Sequence, residues 1–309
     1  MTSLLNWVLW PISKLPMPVL HLLSDGLCFL IYRLLGYRRK TVQENLRLAF
    51  PDWSRERLLD VESRFYHHFC DLIFESIKTF TISQSELNRR FIFKNPDVME
   101  RLFEQGKSLA GISSHYNSWE WNALTMARDF KHAAFGVYKP LASRAWNDFF
   151  LKSRMRFGIK MIAIKEVRGV LEQNRHRPII LGLLSDQAPH DYSKAFQVGF
   201  LGVPTWVTAG PAVITIERGF VPVWGWVRKV KRSVYEWGIE VMEITPEQQA
   251  SAAQDREQVE RIARVHGLSL EQAIYGLALT REHVRRLEKE IKMAPEFWLW
   301  SHRRWKSRG

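Results

Sequence analysis

Apolar and polar positions fall into three textures along the chain. Residues 15–35 (LPMPVLHLLSDGLCFLIYRLL) are apolar over about the length that spans a bilayer, roughly 20 residues. Their polar members His21, Ser24, Asp25, Cys28 and Tyr32 recur at i, i+3, i+4, i+7 and i+11, one narrow stripe of a helix. Such a helix crosses or lies on a membrane with its stripe against protein, or it is a buried amphipathic helix of a soluble domain. Residues 41–90 carry an amphipathic helical pattern, with Pro51-Asp52-Trp53-Ser54 as a break and helix start. From about residue 108 short apolar runs take over: 109–112, 134–137, 161–164, 179–184 and 220–227, the first four separated by helical stretches. That alternation predicts buried parallel strands in an α/β sheet flanked by helices. Residues 234–244 alternate, with Tyr235, Trp237, Ile239 and Val241 on one face and Glu236 and Glu240 on the other, the pattern of an edge strand. Residues 247–294 are charged and helical, with a break near His266-Gly267.

The expected organisation is therefore an N-terminal membrane anchor helix over 1–40 and a catalytic domain over 41–309. Arg33, Arg38, Arg39 and Lys40 lie at or just beyond the C-terminal end of the apolar segment and place the rest of the chain on the cytoplasmic side. Met1–Trp10 has no basic residue, which argues against a signal peptide. With 46% apolar and 25% charged residues, the chain is neither disordered nor polytopic. Its two cysteines, Cys28 and Cys70, exclude a disulfide framework and a CxxC zinc site. The net charge of +13 and 13 tryptophans suit either nucleic acid or an anionic membrane interface.

Chemistry concentrates where apolar runs end. In Gly111-Ile112-Ser113-Ser114-His115-Tyr116-Asn117-Ser118-Trp119-Glu120, His115 lies in a loop at the carboxyl end of a strand, where open α/β sheets bind ligands. Glu120 follows within one helical turn. A carboxylate that fixes the imidazole tautomer makes histidine a general base; the alternative is that Asn117 and Glu120 form a capping box. Asp186, beyond the run 179–184, is placed to orient a cationic group or headgroup, or to cap a turn. Arg154 and Arg156 could hold a phosphate or carboxylate, or form a solvated helix face. Residues 200–210 could line a groove for a hydrocarbon chain, or be ordinary core. The closing segment Pro295-Glu296-Phe297-Trp298-Leu299-Trp300-Ser301-His302-Arg303-Arg304-Trp305-Lys306 reads as an interfacial anchor or headgroup site.

Taken in order, these blocks resemble the late lipid A acyltransferases, the lysophospholipid acyltransferase group that includes lauroyl and myristoyl transferases. The likeness covers nearly the whole chain: the N-terminal helix, Val42-Gln43-Glu44-Asn45-Leu46-Arg47-Leu48-Ala49-Phe50-Pro51, the His-x4-Glu box at His115 and Glu120, Arg154, Asp186 and the closing segment. The resemblance implies transfer of an acyl chain from an acyl carrier protein thioester, or acyl-CoA, to a hydroxyl of a membrane glycolipid at the inner membrane. It implies His115 as general base, Glu120 as its partner, Arg154 as the active-site arginine (Arg156 if the register is off by two) and Asp186 as the acidic residue beyond the sheet. No cofactor, metal or covalent acyl-enzyme is implied. The Ser185–Pro189 block and the length of the helical stretch 250–279 depart from the best-known members and bear on the acceptor, so a phosphatidylinositol mannoside or a lysophospholipid is the alternative. A membrane-anchored nucleic-acid binder is the rival of another class, but the chain carries no helix-turn-helix or aromatic RNA-binding signature.

Overall fold

The computed structural model describes residues 2–305; Lys306, the last residue of the closing block, lies outside them. The N-terminal layer is helical: α1 (Thr2–Lys14), α2 (Met17–Cys28, continued by a π-turn over Phe29–Leu34), α3 (Arg39–Ala49), α4 (Arg55–Lys78) and α5 (Gln84–Arg90). Pro51-Asp52-Trp53 is the expected break, and Ser54 caps α4 by accepting from the Arg57 amide, satisfying a donor the first turn leaves free.

An alternating region follows: β1 (Phe91–Phe93), α6 (Pro96–Glu104), β2 (Leu109–Ser113), α7 (Trp119–Asp129), β3 (Ala133–Tyr138), α8 (Arg144–Arg154), β4 (Lys160–Ala163), α9 (Val167–Gln173) and β5 (Ile179–Leu184). Next come the hairpin β6 (Ala195–Phe200) and β7 (Val203–Thr208), then α10 (Gly210–Arg218), β8 (Val221–Lys231) and β9 (Val234–Val241). The chain closes with α11 (Pro246–Ala253), α12 (Arg256–His266) and α13 (Leu270–Met293). Gly267, with φ 67°, ends α12 where the sequence places the break.

One seven-stranded sheet runs β1-β9-β8-β2-β5-β3-β4. All its pairs are parallel except β8 with β9, so the α/β class and the five apolar runs stand as expected. Strand β9 is not at the edge. Phe91–Phe93 pairs outside it in parallel, a three-residue strand too short to leave a period in the sequence. Tyr235, Trp237 and Ile239 are buried as the alternation requires.

Helix α2 packs along α4 with its polar stripe inward. Ser24 donates to Asp71 at 2.8 Å, His21 meets Ser233 at 2.9 Å, and Tyr32 stacks on Tyr66 with centroids 4.6 Å apart. Arg232, at the β8–β9 turn, bridges Asp25 and Asp71, both at 2.7 Å. Apolar residues line the opposite face: Leu22, Phe29, Leu34 and Leu35 are all exposed. Met17–Leu34 is long and apolar enough to cross a membrane. Of the four basic residues at or just beyond its end, Arg38 donates to the Ser301 carbonyl and Arg39 pairs with buried Glu62.

Candidate active site

Register brings the first two groups together. Strands β2 and β5 are parallel neighbours with Ser113 opposite Leu184, and the Ser185 amide continues the ladder onto the Ser113 carbonyl at 3.1 Å. His115 and Asp186 each lie two residues beyond that last pair, so they emerge side by side at the carboxyl edge of the sheet. Asp186 Oδ1 meets His115 Nδ1 at 2.7 Å, and its Oδ2 accepts the His115 backbone amide at 3.0 Å and the Trp298 indole N–H at 2.9 Å. Burial alone would raise this carboxyl. The neighbouring His115 charge and the hydrogen bonds from the imidazole, indole and amide outweigh it and hold Asp186 well below the usual carboxylate range.

With Nδ1 committed to a carboxylate, Nε2 is the free acceptor nitrogen of the ring. The ring packs edge-on to Trp119, centroids 5.3 Å apart, and the Gln187 side-chain amide lies 3.4 Å from Nε2.

Glu120 is the correction. It does not hold the imidazole, and it does not cap α7. Arg154 claims it, Nε to Oε2 at 2.7 Å and Nη2 to Oε1 at 2.5 Å, a bidentate fork. The capping box is excluded as well, because Asn117 has φ 54° and spends its side-chain amide on the Val227 carbonyl at 2.8 Å. Arg156 turns away and donates to the carbonyls of Thr79 and Ile82, so Arg154 is the arginine that reaches Glu120.

The Glu120–Arg154 pair lies at the wall of a cavity of about 500 Å³ between α4, α8 and the end of β3. Its surface is mainly apolar, with Leu9, Ile77, Phe80, Trp146, Phe149 and Phe150 among the lining residues; Lys139 also borders it. That volume falls among small-molecule sites. Residues 200–210 contribute to the core, the simpler of their two readings: Phe200, Leu201, Val207 and Ala209 are buried. The stretch comprises the end of β6, the turn at Leu201-Gly202, strand β7 and the start of α10, and the hairpin braces the closing segment: the Trp305 indole donates to Thr205 at 2.7 Å and Arg304 to the Trp206 carbonyl at 2.8 Å.

Much of the closing segment, as far as residue 305, packs inside the protein. Trp298, Trp300 and Arg304 are buried. Their backbone runs beside the His115 loop: Tyr116 bridges Trp298, Leu299 N donates to the His115 carbonyl at 3.2 Å, and Asn117 N to the Phe297 carbonyl at 3.0 Å. His302 accepts the Ala188 amide at 3.2 Å. Burial, with help from Arg304 and His115, pushes His302 down to about 4, although Asp186 pulls the other way.

Two supporting residues escape sequence reasoning. Glu75 of α4, wholly buried, accepts from Ser118 at 2.7 Å and Tyr235 at 2.8 Å, and its carbonyl takes the Trp121 indole at 3.0 Å. It thereby pins the start of α7, and burial raises its carboxyl despite those donors. Its only local signal is an acid on the buried face of an amphipathic helix. Trp298 sits in a segment conspicuous for its tryptophans, but what it touches is set by a chain reversal more than a hundred residues away from Asp186.

The sequence is similar to known proteins. The family model described as bacterial lipid A biosynthesis acyltransferase matches residues 1–307. The lipid A biosynthesis palmitoleoyltransferase of Escherichia coli (strain K12) is 22% identical over 302 residues, covering 97% of this chain and 89% of its own length. The lipid A biosynthesis lauroyltransferase of the same organism is 23% identical over 310 residues, covering 97% and 90%. A lipid A biosynthesis acyltransferase of Haemophilus influenzae is 27% identical over 220 residues, 66% of this chain and 67% of its own length. With a family match over residues 1–307, this chain belongs to the bacterial lipid A biosynthesis acyltransferases.

Proposed function

We propose that the protein transfers a fatty acyl chain from an acyl carrier protein thioester, or acyl-CoA, to a hydroxyl of a lipid A precursor, with His115 as general base. The observation that carries this reading is the buried Asp186 carboxylate on His115 Nδ1, which leaves Nε2 to take a proton. The acceptor hydroxyl attacks the thioester carbonyl while Nε2 removes its proton. The tetrahedral intermediate then collapses, the C–S bond breaks, and the imidazolium returns the proton to the departing sulfur. Asp186 stabilises the imidazolium and fixes its tautomer. Arg154, whose Nη1 is not used in the fork to Glu120, and backbone amides near the start of α7 are the candidate donors to the oxyanion. The acyl chain lies in the apolar cavity beside Glu120 and Arg154.

The exposed apolar face of α2 and the basic surface support a membrane setting. The outward face of α2 rests in the inner membrane, with the catalytic groups on the cytoplasmic side. The excess of basic residues attracts the acidic carrier protein and the acceptor phosphates. Mass spectrometry of membrane lipids from cells with and without the protein tests the reading. A lipid A species heavier by one acyl chain is expected only with the protein present, and it should vanish with His115→Ala. A new acyl chain on a mannoside or a lysophospholipid would redirect the acceptor. An unchanged lipid profile, together with no thioester consumption in vitro, would refute acyl transfer.

A further inference from the structure

The carboxylate that orients His115 is itself held. Asp186 Oδ2 receives two donors, the His115 amide and the Trp298 indole N–H at 2.9 Å. We propose that Trp298 is a positioning residue for the general base, its indole N–H fixing Asp186 so that Oδ1 faces His115 Nδ1. The proposal rests on reading His115 as the base.

The residue type suits the task. A buried aspartate can turn about two side-chain torsions, and one amide on Oδ2 does not fix both. The indole is a donor only and does not titrate, so it neither competes for the proton on Nδ1 nor swaps roles with Asp186. Its own position is set by packing. Trp298 is 2% exposed, edge-on to Trp300 at 4.7 Å and to Phe200 at 5.3 Å. Its backbone bridges Tyr116, the residue after His115. One short segment thus grips both partners of the pair: the loop that carries His115 and the carboxylate that orients it. The other ionisable groups around Asp186 are His283, His302 and Arg304. Burial lowers all three, the histidines to about 4 and Arg304 to about 10. Near neutral pH the histidines are therefore uncharged, and Arg304 is the remaining cation.

The test uses the full-length protein in detergent, with dodecanoyl-acyl carrier protein and a lipid A precursor, following thiol release. Trp298→Phe keeps an aromatic ring and removes the donor. The expected result is a fall in kcat of roughly 10–100-fold, the usual effect of losing a partner that orients a reacting group, with KM for both substrates within about twofold. The acid limb of the kcat/KM profile should move to higher pH, because a carboxylate relieved of one donor stabilises the imidazolium more strongly. Trp300→Phe is the control. Its indole donates to the Pro295 carbonyl at 2.6 Å, so that variant should lose stability without moving the limb. Should Trp298→Phe fail to fold, benzothienylalanine at position 298, an isostere with sulfur in place of N–H, makes the same test. Wild-type kcat with an unmoved limb overturns the proposal, as does a profile that matches Trp300→Phe. The base is judged separately by His115→Ala. Retained turnover there would refute the reading of the site, whereas an inactive His115→Ala beside a normal Trp298→Phe would refute the positioning role alone.

Discussion

Two carboxylates flank the site, and the residues around each separate their tasks. Asp186 is tied to the imidazole, Glu120 to a guanidinium. If His115 is the base as proposed, Asp186→Asn removes the charge that would stabilise its imidazolium and is expected to lower turnover by roughly 10²–10⁴, the share of an oriented base. Glu120→Gln breaks the fork to Arg154 but leaves Nδ1 paired. Turnover should fall less, and the acid limb of the pH profile should stay in place; a Glu120→Gln limb displaced as far as that of Asp186→Asn would return Glu120 to the imidazole. Arg154→Lys keeps the charge and loses the planar fork, so a folded but impaired enzyme is expected, read by steady-state kinetics. The buried histidines make a separate prediction. His283 falls from 6.5 to about 4 through burial, and His302 falls similarly. Their folded values lie below the unfolded one, so the unfolded chain binds protons more readily. Their contribution to stability is complete above about pH 6.5 and is lost as pH falls toward 4. For His283 the loss reaches about 3 kcal/mol. Thermal melts between pH 7.5 and 4.5 should show Tm dropping across that window, and His283→Asn should flatten the slope.

At the scale of elements, the β8–β9 hairpin is tightly constrained at Gly238. Gly238 faces Trp226 across the pair, and a Cβ there would lie 2.4 Å from the Trp226 ring and 2.7 Å from Asn95 Oδ1. Asn95 in turn bonds both backbone groups of Ile239, at 2.6 and 3.0 Å. Gly→Ala in a strand stabilises by about 0.4–1 kcal/mol where space allows, through the unfolded chain. Here overpacking, roughly 1–3 kcal/mol, dominates, so Gly238→Ala should destabilise, and a melt showing equal or higher Tm would contradict that. The same sheet explains what was legible beforehand. Strands β2 and β5 announce themselves because both faces are covered and their sequence is continuously apolar. His115 stands out because it ends such a run. Its pairing with Asp186 does not, because β2 and β5 are far apart in sequence and their register is set by the sheet. Glu120, one helical turn along, is the partner that local spacing suggests; the left-handed Asn117 and the pull of Arg154 carry it elsewhere. Strand β1 and the β6–β7 hairpin leave little trace, the first too short and the second broken by Gly199, Gly202 and Pro204. The tryptophans of the closing segment read as interfacial by composition, yet their indole N–H groups find acceptors inside: Asp186, the Pro295 carbonyl and Thr205.

For the whole molecule, the arrangement of α2 inverts that of a soluble amphipathic helix. Its polar stripe faces α4 and Arg232, with Ser24, Cys28 and Tyr32 buried, while Leu22 is 71% exposed, Leu30 43% and Leu34 65%. Water disfavours that face and a bilayer accepts it. A leucine moved from water into an apolar medium gains roughly 1.5–3 kcal/mol, so three of them shift a partition equilibrium by orders of magnitude. The combined variant Leu22→Gln, Leu30→Gln, Leu34→Gln leaves Ser24, Asp25 and His21 in place. It should move the protein from the membrane pellet to the supernatant without lowering its Tm. High salt alone should leave the wild type in the pellet, because screening weakens charge contacts and not apolar burial. Deleting residues 1–36 acts differently. It takes Ser24 from Asp71, Asp25 and the His21 carbonyl from Arg232, and the Leu15 carbonyl from Lys78. The deletion also strips Met17, Leu20 and Cys28 from the core and opens the apolar surface they covered to water, at roughly 1.5–3 kcal/mol for each large buried side chain. The truncated chain is therefore expected to lose its cooperative melt and its activity together, by circular dichroism and by thiol release. A truncated protein with the wild-type Tm would show that the polar seam is dispensable, and a triple variant still in the pellet would show that something other than this leucine face holds the protein there.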